Sequence, residues 1–269
     1  MSKRRKPGKS FRTFRSIQNA VKNWRWRVGA RLGLLRLAKH GYMICATPRS
    51  GSNYVCQLLT STMMLGKPVE YFNVNSRRRT HDPKYPADPR VQLDIIRSRG
   101  ATPNGIYAVK LLSTQFKLLA DRVDPFRDLP NLKLVRLERR DLLGQAISLV
   151  RARQTLQYVA FQAPAAPPSY DPERIRNCLG QLQGQRAAWD GIMDRLGVRP
   201  LSFHYEDLTG DPQGTVDQVA ALMGLVPPVP IDPGLITYTI QRDAINAEWR
   251  QRFLIETGEE FRRLERPGD

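Results

Sequence analysis

The sequence predicts an α/β fold: a three-layer sandwich with a mainly parallel sheet and helices on both faces. Three observations carry this. Short apolar runs recur at residues 42–46, 106–112, 132–137 and 201–205. Segments of helical periodicity separate them, so successive strands are joined by crossovers and lie parallel. The runs are nearly continuous in hydrophobicity, as strands covered on both faces are.

The first strand, YMICA, ends in a loop at residues 47–51, marked by Pro48, Ser50 and Gly51. A helix follows from Ser52 to about Leu65, with Val55, Leu58, Leu59 and Met63 on one face, until Gly66-Lys67-Pro68 stops it. Residues 80–90 read as a Pro-rich loop, 91–99 as a short helix and 106–112 as the second strand. After the third strand, Asp141 can cap a long helix to about Tyr158. Residues 163–172 form another loop and 172–196 a helix. The strand at 201–205 comes late. A helix at 212–224 ends at its glycine, 227–234 is a Pro-rich turn region, and 244–264 is a charged terminal helix. In such sheets ligands bind beyond the carboxyl ends of the strands. The chemistry is therefore expected in the loops after Ala46, Leu112 and Leu137.

Composition sets the outer limits. The chain has 269 residues, 41% hydrophobic and 25% charged, which is ordinary for a globular protein and excludes wholesale disorder and fibrous classes. No stretch approaches the roughly 18 apolar residues of a membrane span. Three cysteines with no CxxC pair suit neither a disulfide framework nor zinc, so they read as reduced thiols in a cytosolic protein. The net charge is +18, yet residues 1–40 hold 13 of the 43 basic residues and no acid, leaving 30 against 25 elsewhere. This divides the chain into a basic N-terminal extension, 1–40, and a single domain, 41–269. Within the extension Val21, Trp24, Val28, Leu32 and Leu35 recur at three- and four-residue steps. It reads as an amphipathic helix on an anionic membrane, a solvated tail, a phosphate-attracting arm for nucleic acid, or an Arg-rich transit peptide.

The unit strand–TPRSGSN–helix is the most informative local feature. Pro48 and Gly51 bend the loop, and the first helical turn offers free amides and the positive end of the helix dipole. Arg49 adds a planar cation, and Ser50, Ser52 and Asn53 add short donors. The set suits a phosphate or sulfate, although a plain strand–turn–helix with a capping serine has the same pattern. No Lys follows Gly51, so the ATP-binding pattern G-x-x-x-x-G-K-[ST] is absent and a nucleotide kinase is disfavoured. No metal-ligand cluster stands out.

Longer stretches agree with one family. CATPRSGSNYVCQLL, GKPVEYF, TPNGIYAVKLL and LERRDLLGQAISLVRARQT, with weaker agreement in HYEDLTGDP and INAEWRQRF, resemble the Stf0-type sulfotransferases. That family uses PAPS (3′-phosphoadenosine 5′-phosphosulfate), releases PAP (adenosine 3′,5′-bisphosphate) and acts on carbohydrates and glycolipids. The resemblance spans about residues 42–253 and leaves out the basic extension. It implies that Pro48, Arg49, Ser50, Gly51 and Ser52 surround the 5′-phosphosulfate, with Asn53 where Thr or Ser is usual. It implies that Arg139 and Ser148 hold the 3′-phosphate, with Arg140 as the competing neighbour. On the residues alone, Arg139-Arg140-Asp141 is a surface charge cluster with a helix cap.

The resemblance also makes Glu70 the general base, and Lys110, on the ligand side of the sheet by its place on the second strand, is assigned to the bridging or sulfuryl oxygens. Without it, Glu70 reads as a surface loop residue and Lys110 as a snorkelling lysine. The apolar neighbours Val69, Tyr71 and Phe72 predict a Glu70 pKa raised toward neutrality by desolvation. His81, in the Pro-rich loop, is the alternative base. The family's Arg-Gln-Ala-Asp run is displaced here, to Ile240-Gln241-Arg242-Asp243. The implied acceptor is a carbohydrate or glycolipid hydroxyl, and the basic extension favours a glycolipid such as lipopolysaccharide. The expected location is the cytoplasm, at the inner membrane face if the extension binds lipid. The resemblance allows a homodimer. The rival class is a non-enzymatic, basic phosphate- or nucleic-acid-binding protein.

Overall fold

The computed structural model describes residues 37–119, 122–157, 167–237 and 244–258. Among them lie four strands: β1 (His40–Ala46), β2 (Ile106–Leu112), β3 (Leu132–Glu138) and β4 (Leu201–His204). They form one sheet in the order β2-β1-β3-β4, and each neighbouring pair is parallel. Ala46 is level with both Leu112 and Leu137, and Glu138 with His204. The strands therefore end together, and the loops leaving them share one rim.

Between β1 and β2 lie α1 (Ser52–Ser61), α2 (Val74–Thr80) and α3 (Pro89–Arg99). Then come α4 (Ser113–Leu119) and α5 (Pro125–Asp128), and after β3 follow α6 (Leu142–Thr155) and α7 (Pro172–Leu196). Beyond β4 are α8 (Tyr205–Gly210), α9 (Pro212–Leu222), a 3₁₀ turn (Pro233–Leu235) and α10 (Ala244–Thr257).

Alternation along the strands sorts the core into layers. Tyr42, Ile44, Ala108, Val135 and Leu137 pack on one face against Val55, Leu58 and Leu59 of α1 and Val216, Val219 and Ala220 of α9. Each such fully buried aliphatic side chain contributes about 1.5–3 kcal/mol over leaving it exposed. Arg136 belongs to the other face, where it bonds Asp190 and the carbonyl of Arg186 on α7. Trp189 of α7 donates its indole N–H to the carbonyl of Ala46 at 3.0 Å. A second cluster joins α6, α7 and α10 through Leu143, Ile147, Leu179, Leu182, Trp249 and Phe253. The predicted three layers are present.

The boundaries differ in instructive ways. Helix α1 stops at Ser61, short of the predicted Leu65. The hydroxyls of Ser61 and Thr62 turn back onto Leu58 and Leu59 carbonyls, and Met63 takes a φ of 55°. Local side-chain bonds have displaced helix propagation. β4 ends one residue early, because Tyr205 opens α8. Residues 74–80, with no predicted element, form α2, for which Asn73 accepts from the Ser76 amide. Helix α6 ends at Thr155, before the predicted Tyr158, and α9 at Leu222.

All three cysteines are free and buried, and burial pushes the Cys45 and Cys56 thiols up to about 12. They are core hydrophobes. No helix among the described residues is long and apolar enough to cross a membrane. The amphipathic pattern of the N-terminal extension and the run 240–243 lie outside the described residues, apart from residues 37–40 of the extension.

Candidate active site

The loop after β1 is wound tightly. Arg49 and Gly51 both take left-handed conformations, with φ of 62° and 83°. A non-glycine residue held there costs about 1–3 kcal/mol, which the surrounding contacts must offset. At Gly51 a methyl would sit 2.1 Å from a ring carbon of Tyr205, so only glycine fits. Gly51 also precedes α1 without any side-chain cap. The N–H groups of Ser52 and Asn53, the first of the helix, have no intrahelical carbonyl by helix geometry. Ser50 is fully buried and donates its hydroxyl to the Thr47 carbonyl at 2.8 Å. Its oxygen thus serves the turn, where the sequence offers it as an anion donor.

The second group lies at the end of β2. Lys110 lies within the strand, as the 106–112 reading places it, and is only 4% exposed. Its amide donates to the Val69 carbonyl at 3.0 Å, which lays the segment carrying Glu70 alongside the strand. Lys110 Nζ meets Glu70 Oε1 at 2.8 Å, Asn53 Oδ1 at 2.7 Å and Ser52 Oγ at 3.5 Å. One buried cation therefore joins the candidate base to the first turn of α1.

The expectation for Glu70 requires correction. Burial alone would raise its pKa. The Lys110 ammonium and hydrogen bonds from Asn73 Nδ2 and Gln115 Nε2, both 2.8 Å from Oε2, outweigh burial and hold the pKa below its ordinary value. The apolar sequence neighbours are present, but two of the groups that decide its charge, Lys110 and Gln115, come from elsewhere in the chain. His81 ends α2 and bonds Thr80, and burial lowers its pKa.

The third group follows β3. Arg139 lies over the Tyr205 ring at 5.3 Å, the same ring that closes on Gly51. Its Nη2 meets Asp141 at 3.2 Å, and its buried Nε finds no hydrogen-bond acceptor among the described residues. Arg140 is turned to α8, where it grips Asp207 with two bonds of 2.7 and 2.6 Å. Ser148 of α6 accepts from Arg49 Nε at 2.9 Å. Two residues assigned to opposite ends of one nucleotide are thus in contact.

Three residues of the site were not singled out by the sequence. Gln115 holds Glu70 and accepts from the Leu112 amide at 3.1 Å. Asn73 holds Glu70 while capping α2. Gln145, fully buried on α6, donates to Thr47 Oγ1 and the Pro48 carbonyl. The Q of LLGQAIS sits three residues before Ser148, on the same helical face. That spacing was the one available signal.

The Stf0 sulphotransferase family model matches residues 41–256. Trehalose 2-sulfotransferase of Mycolicibacterium smegmatis is 26% identical over 255 residues, covering 79% of this chain and 93% of that protein. The Mycobacterium tuberculosis trehalose 2-sulfotransferase is 25% identical, covering 80% and 94%. Among solved structures, the sulfotransferase domain of the curacin biosynthetic pathway aligns over 80% of this chain and 83% of its own. It has a TM-score of 0.47 and 15% identity. The sulfotransferase domain of the Synechococcus PCC 7002 olefin synthase aligns over 84% and 96%, with a TM-score of 0.43 and 16% identity.

Proposed function

Because the chain belongs to the Stf0 sulphotransferase family, we propose that it moves a sulfuryl group from PAPS to a carbohydrate hydroxyl. The acceptor class follows the activity for which the two mycobacterial relatives are named. One observation supports the reading best: Lys110 Nζ touches both Glu70 and the first turn of α1, so proton acceptor and anion-binding turn share one cation. The family match lends no support to the nucleic-acid-binding alternative.

The residues suit the donor's two charged ends. Arg49, Gly51, Ser52 and the leading amides of α1 would take the 5′-phosphosulfate. Arg139, whose buried Nε makes no hydrogen bond among the described residues and lies 4.0 Å from Glu206 Oε1, and Ser148 would take the 3′-phosphate in a charge-assisted contact. Arg140 is committed to Asp207 and is the poorer candidate. PAPS supplies an activated sulfuryl group with adenosine bisphosphate as its leaving portion. Glu70, ionised, accepts the hydroxyl proton as the acceptor oxygen attacks. Arg49, Lys110 and the α1 amides stabilise the growing negative charge on the leaving side, where fixed donors act most strongly.

The test is calorimetric titration of adenosine 3′,5′-bisphosphate into wild type, Arg139→Ala and Ser52→Ala, with ATP as control. Selective wild-type binding, weakened in both variants, is expected. Equal affinity for ATP overturns the donor assignment. Trehalose incubated with PAPS and followed by mass spectrometry then asks whether a sugar gains one sulfuryl group.

A further inference from the structure

The contacts of α6 extend past the predicted site residues. Gln145 Nε2 donates to Thr47 Oγ1 at 2.8 Å and to the Pro48 carbonyl at 2.7 Å. One turn on, Ser148 accepts from Arg49 at 2.9 Å. Three consecutive loop residues, 47, 48 and 49, are each held by one face of one helix. The remaining polar atom of the Gln145 amide, Oε1, accepts from Arg186 Nη2 of α7 at 3.4 Å. The same Arg186 nitrogen also donates to the carbonyl of Arg139.

We infer that Gln145 and Arg186 are positioning residues, which fix the distance between the 5′-phosphosulfate loop and the Arg139 turn through a Thr47/Pro48–Gln145–Arg186–Arg139 chain of hydrogen bonds. The inference deepens the donor reading and rests on it for the identity of the two anions.

A glutamine is well suited to the junction. Its amide nitrogen gives two bonds to the loop while its oxygen takes one from the cation. A glutamate would set an acceptor against the Pro48 carbonyl, and a leucine would leave Thr47 and Pro48 with unmade bonds. Arg186 in turn is anchored at its own backbone, whose carbonyl accepts from buried Arg136 at 3.2 Å. The coupling therefore runs from a strand of the sheet to the loop's backbone. A ligand with phosphates at both ends gains from a fixed separation, because neither end must be ordered again after the other binds. A ligand with one phosphate gains nothing.

That difference is the test. Adenosine 3′,5′-bisphosphate and 5′-AMP are titrated into wild type, Arg186→Met, Arg186→Lys and Gln145→Leu, with melting temperatures recorded. Arg186→Met is expected to lose at least tenfold in affinity for the bisphosphate and less than twofold for 5′-AMP. Arg186→Lys, keeping one donor for the Arg139 carbonyl, should recover part of the loss. A purely structural role would lower the melting temperature or weaken both ligands equally, and either result without a change in their ratio overturns the inference.

Amide exchange of the ligand-free protein gives a second, independent readout. Arg186→Met should speed exchange in residues 47–53 as well as around Arg139, although the side-chain hydrogen bonds it removes go to Gln145 and Arg139. Unchanged exchange in 47–53 sinks the coupling even if Arg186→Met binds the bisphosphate more weakly. Wild-type indifference to the bisphosphate overturns the donor assignment instead, with the exchange result still deciding the coupling.

Discussion

Glu70 carries the most consequential single charge. Burial would raise its pKa, but its pairing with Lys110 and two amide donors holds it below the ordinary glutamate value. As the proposed base it is ready at neutral pH without titrating first. The acid limb of kcat/KM, which reports the free enzyme, is therefore expected on the acid side of the ordinary glutamate value, and Glu70→Gln should abolish that limb. The same variant should lower turnover by about 10²–10⁴-fold, the usual contribution of a general base, while calorimetry shows bisphosphate affinity retained. A Glu70-dependent limb near neutrality would show that the pair with Lys110 does not persist. Gly51 is the second sensitive position. Gly51→Ala meets both a φ of 83° and the Tyr205 ring. It should lose at least tenfold in bisphosphate affinity, or fail to fold, as a titration beside a thermal melt will distinguish.

At the scale of elements, α6 depends on its first residues. Asp141 accepts from the Gly144 amide at 2.8 Å and pairs with Arg139 and with Arg250 of α10. Burial would raise its pKa, but the Arg250 contact, the Gly144 amide and the nearby Arg139 together lower it. A carboxylate depressed in the folded state adds stability above its unfolded pKa, and that stability is lost as pH falls through the folded value. Asp141→Ala should cost about 0.5–2 kcal/mol as a lost cap. Denaturant melts at pH 7 and at pH 3 should show the difference from wild type shrinking in acid.

This cap was legible in the sequence, because Asp141 stands directly before an apolar periodic run. So were β2 and α7, whose apolar spacing has no local competitor. The end of α1 was not, because Ser61 and Thr62 hydroxyls compete with the helix from inside it. The environment of Glu70 was not legible either. The sequence shows Val69, Tyr71 and Phe72 beside it, but Gln115 stands 45 residues away and Lys110 on a separate strand. Gln145 could have been caught by its spacing from Ser148, yet nothing local says that its partner is a loop 98 residues earlier.

For the whole molecule, the basic extension and the folded domain make separable predictions. Ala38 is tied to Arg97 by two bonds, its amide at 2.9 Å and its carbonyl at 3.0 Å. A truncation should therefore stop before it. We propose that residues 1–36 add attraction to anionic lipid, since 13 basic residues and no acid fall in the first 40. The chain lacking 1–36 should keep its bisphosphate affinity and lose sedimentation with phosphatidylglycerol vesicles. Equal sedimentation of both forms sinks the lipid role.

The sheet order also has a kinetic consequence. β1 pairs with β2 and β3, never with a sequence-adjacent hairpin partner, and the contacts that complete the site span 57, 98 and 99 residues. Such distant pairings must wait for large loops to close, so folding is expected to be slow and the anion site among its last products. A nucleotide that recognises only the finished rim cannot hurry that search. In stopped-flow experiments, adenosine bisphosphate should slow unfolding and leave the refolding rate unchanged.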